Sequence, residues 1–221
     1  MSGLTIYEHP FASYCWKAMI ALYERDVPFA RHQVDDEADR AALAQLWAPA
    51  SMPVLVDDDA GIAMPESTIV VEYLDRFGDA PPLIPAEPEA ALRARLWDRV
   101  VDLRVQTPMQ KVVLDRLRPE GTGDRHGVEE AREALGRVYA LLDDQLHGNE
   151  WLAGPTFTMA DCAAAPALHY ARALRRWDED ALAGLTRYYE ALNARPSVAR
   201  VVDEARPYRP NFPLPWPDYM D

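Results

Sequence analysis

SMPVLVDDDAGIAMPESTIVVEYLDRF, residues 51–77, carries two periodicities in succession. MPVLVDDDAGIAM (52–64) reads as two short strands around an Asp/Ala/Gly turn. PESTIVVEYLDRF (65–77) then changes to a helical period, with Ile69, Val70, Tyr73, Leu74 and Phe77 on one face. The stretch is thus a β-β-α unit, entered by an X-Pro pair and carrying Glu-Ser where its helix starts.

Working towards the N-terminus, ADRAALAQLW (38–47) reads as a short helix stopped by Pro49, and VPFARHQV (27–34) as a strand. Before them Trp16, Met19, Ile20 and Tyr23 keep i, i+3, i+4, i+7 spacing, the mark of a helix. LTIYEH (4–9) is a strand ended by Pro10. Residues 1–78 therefore read β-α-β-α-β-β-α.

Towards the C-terminus, DAPPLIPAEP (79–88) holds four prolines. Proline fixes φ and removes a donor, so 79–89 is read as a linker. Helical patterns fill the rest, 90–221. One runs from Ala90 through Leu92, Leu96, Val100 and Leu103 towards Arg118, with a break expected at Pro108. Another, 126–146, aligns Leu135, Val138, Leu142 and Leu146. Others start near Met159, span roughly 179–193, and follow Pro196. The tail ARPYRPNFPLPWPDYMD is too rich in proline for regular helix and is expected to lie across the helical part. The fold class expected is α/β plus all-α.

The chain has 221 residues, enough for one large or two small cores. Its net charge of −13 disfavours nucleic acid and anionic membranes as partners. No run is long and apolar enough to span a bilayer. No leader is read at the start, and two cysteines, Cys15 and Cys162, fit a reducing cytoplasm better than a disulfide framework. The acidic clusters 35–37, 57–59 and 178–180 are read as solvated loops, without His or Cys nearby to suggest a metal.

Three short motifs can carry chemistry. Ser13 stands between a strand end and a helix, where serine is a favoured N-cap. The same geometry suits a thiolate, because a helix start offers free N–H groups and partial positive charge. A charge-assisted hydrogen bond of about 1.5–3 kcal/mol and about 0.3–1 kcal/mol from the dipole together lower a thiol pKa by about one to two units. Met52-Pro53 opens a strand. Only about 5–6% of X–Pro bonds are cis, but a cis bond here turns the Met52 backbone outward for an extended ligand. Glu66-Ser67 opens the next helix and is placed either to cap it or to hold a carboxylate.

Taken in order with SYCWKAMIAL, MPVLVDD, PESTIVVEYLD and TFTMADCAAAP, these motifs resemble a cytosolic glutathione transferase of the bacterial serine type, theta- or zeta-like. The resemblance covers nearly the whole chain. It implies a thioredoxin-like N-terminal domain, an all-helical C-terminal bundle, a homodimer, and glutathione as co-substrate with no metal. It implies that Pro53 is the family's cis-proline, that Met52 pairs with the cysteinyl unit, and that Glu66 and Ser67 hold the γ-glutamyl end. Aligned on Lys17 and Ile20-Ala21-Leu22, Ser13 falls where serine-type members keep the catalytic hydroxyl. Cys15 is the rival, with Tyr14 and Tyr7 as further alternatives. Trp16 stands where redox members carry a second cysteine. Many relatives have Gly-Lys where this chain has Ala50-Ser51, so a cation for the glycyl end must come from elsewhere, with His32 and Arg40 as candidates; Ser51 is a further glutathione-binding candidate. Asp102 is a candidate for the amino group across a dimer interface. The electrophile pocket is expected between Phe11, Tyr14, Arg104, Pro108 and Met109, with Phe212 and Trp216 of the tail.

Thr158-Met159-Ala160-Asp161 reads as a variant capping box, with Phe157 and Cys162 at staple spacing. It is folding machinery, which makes Cys162 a buried small hydrophobe. Three functions follow for test: conjugation of glutathione to a small electrophile, thiol transfer or reduction through Cys15, or a non-catalytic binding module.

Overall fold

The computed structural model describes residues 3–220. Its sheet has four strands in the order β2-β1-β3-β4. β1 (Leu4–Glu8) pairs parallel with β2 (Ala30–Gln33) and antiparallel with β3 (Val54–Asp57), which pairs antiparallel with β4 (Ile62–Pro65). Parallel strands need a crossover, and α1 (Ser13–Glu24) supplies it. The β3–β4 hairpin turns at Gly61, whose φ of 67° is costly for a residue with a Cβ. α2 (Glu37–Leu46) is opened by a reciprocal Asp36/Asp39 capping box, and α3 (Ser67–Leu74) closes the half. The β-α-β-α-β-β-α order expected from the sequence is present.

After the Pro-rich connection come α4 (Pro88–Val101), a π-helical turn (Asp102–Gln106) and α5 (Thr107–Arg116) in one continuous run. Then follow α6 (Arg125–Gln145), α7 (Met159–Leu174), α8 (Ala183–Ala194) and α9 (Pro196–Ala205). The break expected at Pro108 is the π-turn just before it. Proline lacks an N–H and its ring crowds the carbonyl four residues back; a widened turn relieves both. The Thr107 N–H reaches the carbonyl of Asp102, and so does its hydroxyl, at 3.0 Å. The tail forms two short 3-10 turns, 206–211 and 218–220.

One apolar cluster joins both halves. Trp16, Ile20 and Leu22 of α1 share it with Cys162, Leu168 and Tyr170 of α7. The face expected on α6 is inside: Leu135, Val138, Leu142 and Leu146 are all buried. The α4 pattern is different. Its inner row is Ala91, Ala94, Asp98 and Val101, while Leu92 (66% exposed), Leu96 (54%) and Leu103 (54%) face outward, as does Ile69 of α3. Small residues bring α4 close to α7, and the leucines are left on the far side. The acidic run 57–59 is not wholly solvated either. Asp57 is buried and accepts from the Tyr73 hydroxyl at 2.7 Å.

Candidate functional site

Pro10 and the Ala12 turn lead β1 into α1. The N-cap is Ala12, in extended conformation and with no side-chain hydrogen bond to the helix start. Ser13 is therefore the first helical residue and not the cap expected from the sequence. An alanine cap leaves the first N–H groups without a side-chain acceptor. The Ser13 hydroxyl accepts a hydrogen bond from the side-chain amide of Gln106, in the π-turn.

α3 begins in a similar way. Glu66, its N-cap, makes no capping bond and holds φ 67°, ψ 112°, a region that costs a non-glycine residue about 1–3 kcal/mol. Strain of this kind gathers at ligand sites. Beside it lies a cavity of about 230 Å³ lined by Tyr14, Ser51, Met52, Pro53, Glu66, Ser67 and Arg99. The Met52–Pro53 bond is cis, and Met52 precedes the first ladder pair, Val54–Pro65, so its backbone is outside the sheet. A carboxylate, a guanidinium, three hydroxyl-bearing side chains and an open helix start thus face one space. That set is complementary to an α-amino-acid end: ammonium to Glu66, carboxylate to Ser67, Arg99 and the α3 N–H groups.

A second cavity, about 360 Å³, shares Tyr14 and Met52 with the first. Phe11, Ser13, Met109, Val113, Leu117, Tyr170 and Phe212 are among its walls, and no charged side chain lines it. Phe11, Tyr14 and Met109 are where the sequence put them. Arg104 and Pro108 are not. They face a separate groove between α5 and α6, with Thr107 and Lys111. Helix phase explains the split: 109, 110, 113 and 117 share one face at 100° per residue, and 104, 107, 108 and 111 the opposite one. The tail contributes Phe212, edge-on to Phe11 and stacked on Tyr170. Trp216 lies behind it, against Phe212 and His169. Burial pushes the His169 imidazole down to about 3.

Behind both cavities runs a buried ion network. The Lys17 ammonium pairs with Asp98 at 2.6 Å and Asp102 at 3.0 Å, and donates to the Thr68 hydroxyl at 2.7 Å. Thr68 donates to Asp98 at 2.9 Å, and Arg99 donates to Asp102 at 3.2 Å. Burial pushes the Asp98 carboxyl up, against the pull of Lys17. Asp102, expected to meet a ligand amino group across a dimer interface, is instead buried and engaged by Lys17 and Arg99. It orients Arg99 at the cavity wall. Burial, then the Asp102 charge, push the Tyr14 phenol up to about 12, so it stays protonated near neutral pH.

Several expected residues are elsewhere. Cys15 is fully buried in the α1 core, lines neither cavity, and burial pushes its thiol far up. Two residues further along, the helix has turned its side chain about 200° away from Ser13's direction. A reactive thiolate needs a low pKa and access, so the reductase reading through Cys15 fails. Tyr7 stacks on His32 at 4.4 Å, on the sheet's far side from α1 with Val34, Leu43 and Val54. His32 is paired with Asp39 at 3.0 Å, and Arg40 is exposed on α2. None of the three lines either cavity. Ser51 does, with its hydroxyl held by the Trp47 indole at 3.0 Å.

Arg99 and Gln106 went unread in the sequence. An Arg three residues before Asp102 hints at a held guanidinium. A glutamine on the face of Met109, Val113 and Leu117 hints at a buried partner. Their neighbours across the fold lie far away in sequence.

The start of α7 is closed. Asp161 Oδ2 accepts from the Thr158 N–H (2.8 Å) and hydroxyl (3.1 Å); Oδ1 accepts from the Leu152 N–H (3.0 Å) and the Tyr188 hydroxyl (2.6 Å). Thr158 in turn accepts from the Ala160 N–H. Cys162 is buried beside it.

Comparison with known proteins agrees with this fold. Residues 6–82 match the family model described as Glutathione S-transferase, N-terminal domain, and residues 100–196 match Glutathione S-transferase, C-terminal domain. The Stringent starvation protein A homolog of Coxiella burnetii is 31% identical over 167 residues, 76% of this chain and 75% of its own. FtsZ-localized protein A of Caulobacter vibrioides is 28% identical, over 73% of this chain and 74% of its own. A glutathione S-transferase from Methylobacillus flagellatus, solved with GSH bound, superimposes with a TM-score of 0.81 at 26% identity, covering 90% of this chain and 98% of its own.

Proposed function

Because the chain belongs to the glutathione S-transferase family, we propose that it activates the thiol of glutathione at the start of α1 for attack on a small, uncharged, largely apolar electrophile. The observation that carries this is the meeting of a polar and an apolar cavity at Tyr14 and Met52, beside Ser13 on an uncapped helix start.

The γ-glutamyl ammonium goes to Glu66 and its carboxylate to Ser67, the α3 N–H groups and Arg99. The cysteinyl unit lies along the Met52 backbone, exposed by the cis-proline. The sulfur then reaches Ser13, whose hydroxyl and helix start stabilise the thiolate. Those terms lower the thiol pKa from about 8.5 by about one to two units. The thiol proton goes to solvent, the S–C bond forms, and the leaving group departs with its electron pair. Tyr14, protonated, borders the sulfur and takes no proton. The uncharged lining of the second cavity selects neutral substrates, since an unpaired charge there is costly to desolvate. The glycyl end has Ser51 in place of a lysine and contributes little affinity. The outward leucines 92, 96 and 103, with Ile69, supply an apolar surface for a homodimer.

The test is thiol conjugation to an aromatic halide by the wild type and by Ser13→Ala. Conjugation that Ser13→Ala retains in full refutes the role of Ser13. A second reading, a binding module without catalysis, is favoured by relatives whose names describe no transferase. Calorimetric titration separates the two: millimolar or tighter glutathione binding supports the enzyme, and undetectable binding supports the module.

A further inference from the structure

We infer that Gln106 is a positioning residue for thiol ionisation: its side-chain amide donates to the Ser13 oxygen and so leaves the Ser13 hydrogen free for the sulfur. The inference rests on the proposed role of Ser13.

A serine hydroxyl has one hydrogen to give and lone pairs to receive. At a helix start with no ligand, that hydrogen is free to rotate towards any nearby carbonyl. An amide NH₂ can only donate, so its bond to Ser13 Oγ sets the direction. With one lone pair occupied, the hydroxyl hydrogen is directed elsewhere, and the polarised O–H becomes a better donor. Among the described residues, the Ser13 hydroxyl makes no other hydrogen bond. The open side of Ser13 is the cavity that it lines with Tyr14 and Met52.

Gln106 is placed for this and for little else. It is 2% exposed, at the end of the π-turn, on the helix face continued by Met109, Val113 and Leu117. A buried amide among apolar residues is costly unless paired, and Ser13 is the pairing it finds. The turn is anchored at its other end, where Asp102 is gripped by Lys17 and Arg99. Thr107 closes the widened turn on the Asp102 carbonyl. One five-residue π-turn therefore orients both cavities, Arg99 through its first residue and Ser13 through its last. Local π-turns of this kind recur at functional sites.

Among the ionisable groups around Ser13, Glu66 in the shared cavity and the His9 imidazole, lowered by burial, give a background common to all four proteins. Tyr14 and Cys15 on α1 and Tyr170 on α7 are all pushed up by burial and stay protonated through neutral pH.

The experiment titrates the ultraviolet absorbance of glutathione thiolate bound to the full-length protein, in wild type, Gln106→Met, Ser13→Ala and the double variant. Gln106→Met keeps length and removes the donor. It is expected to raise the thiol midpoint by about half to one pH unit, a roughly three- to ten-fold loss of thiolate below the midpoint. In conjugation, kcat at low pH falls by the same factor, while KM for glutathione stays within about two-fold, since a term confined to the ionised sulfur is not one of uniform binding. In the Ser13→Ala background the same change is expected to cost nothing, because partners in one network are not additive. Should Gln106→Met fold poorly, Gln106→Leu removes the donor in a smaller shape and is judged by the same readings. Wild-type midpoints in a folded variant, or an equal shift with and without Ser13, overturn the inference alone. Wild-type protein that binds glutathione without lowering its thiol midpoint, or binds none, overturns the proposed role of Ser13 and this inference with it.

Discussion

The starts of α7 and α1 bring polar residues to a helix N-terminus in opposite ways. At α7, Thr158 and Asp161 turn inward, and every acceptor is taken by a named donor. At α1, the cap is an alanine, the first residue is a serine, and the hydroxyl is engaged by a side chain from the other half of the chain. α3 resembles α1 in having no capping bond and a cavity in front, and adds a strained residue at its head. A helix end must satisfy its first N–H groups somehow. Where the chain does so itself, the end contributes stability. Where it does not, the end contributes affinity for an anion.

The sharpest attack on this contrast is Asp161→Ala. It strands the Leu152 and Thr158 N–H groups and the Tyr188 hydroxyl in the core. The expected cost is about 3–5 kcal/mol, read as a fall in the urea midpoint, with any remaining folded protein binding glutathione normally. A small loss contradicts the reading of α7 as folding machinery.

Ser13→Ala is the mirror experiment. The loss of a charge-assisted bond of about 1.5–3 kcal/mol means a roughly 10- to 100-fold lower kcat/KM for conjugation. Thermal stability is expected to fall by about 1 kcal/mol, the cost of leaving the buried Gln106 amide without its partner, well short of the loss at Asp161. A protein that loses stability instead of rate places α1 in the same class as α7.

Further along α7, His169 extends the comparison to pH. It is neutral in the fold, with its pKa pushed down from 6.5 to about 3 by burial. The unfolded chain binds the proton first, so stability rises with pH across that window and falls as pH drops below about 6.5. Between about pH 6.5 and about pH 5.5 the loss is about 1 kcal/mol, a Tm decrease of roughly 2–4 °C. The slope should flatten in His169→Phe relative to wild type; equal slopes refute the assignment.

The mildest expected effect is at α3. Ser67→Ala removes one hydroxyl from the polar cavity and should weaken glutathione binding by about 1 kcal/mol, roughly five-fold. Calorimetry that shows unchanged affinity with lower stability makes Ser67 a structural residue.

The order of elements was readable because periodicity and proline punctuation are local. So were the motif at α7 and the residues Ser13, Met52, Pro53, Glu66 and Ser67 that line the two adjoining cavities. What escaped depends on distance and phase. Arg104 and Pro108, one turn apart, are on the right helical run but on its wrong face. Cys15 is two residues from Ser13 and points into the core. Gln106 and Arg99 gain their meaning from residues 13, 66 and 67, which no window along the chain brings near them. Leu92, Leu96 and Leu103 are periodic, as an inner face would be, but the inner row of α4 is made of alanines because only small side chains let it approach α7.

Among the residues lining the second cavity, Asn211, Phe212 and Pro213 are the last to be synthesised. Phe11, Ser13 and Met52 are made long before, and Tyr170 some forty residues earlier. Under the proposed function, every residue assigned to the thiol is therefore made before this last part of the second cavity's wall. Under the same proposal, changes confined to that short closing segment are expected to alter which molecule is accepted without disturbing how the sulfur is prepared. A lineage could then diversify its choice of reactant while the older half of the site is held constant.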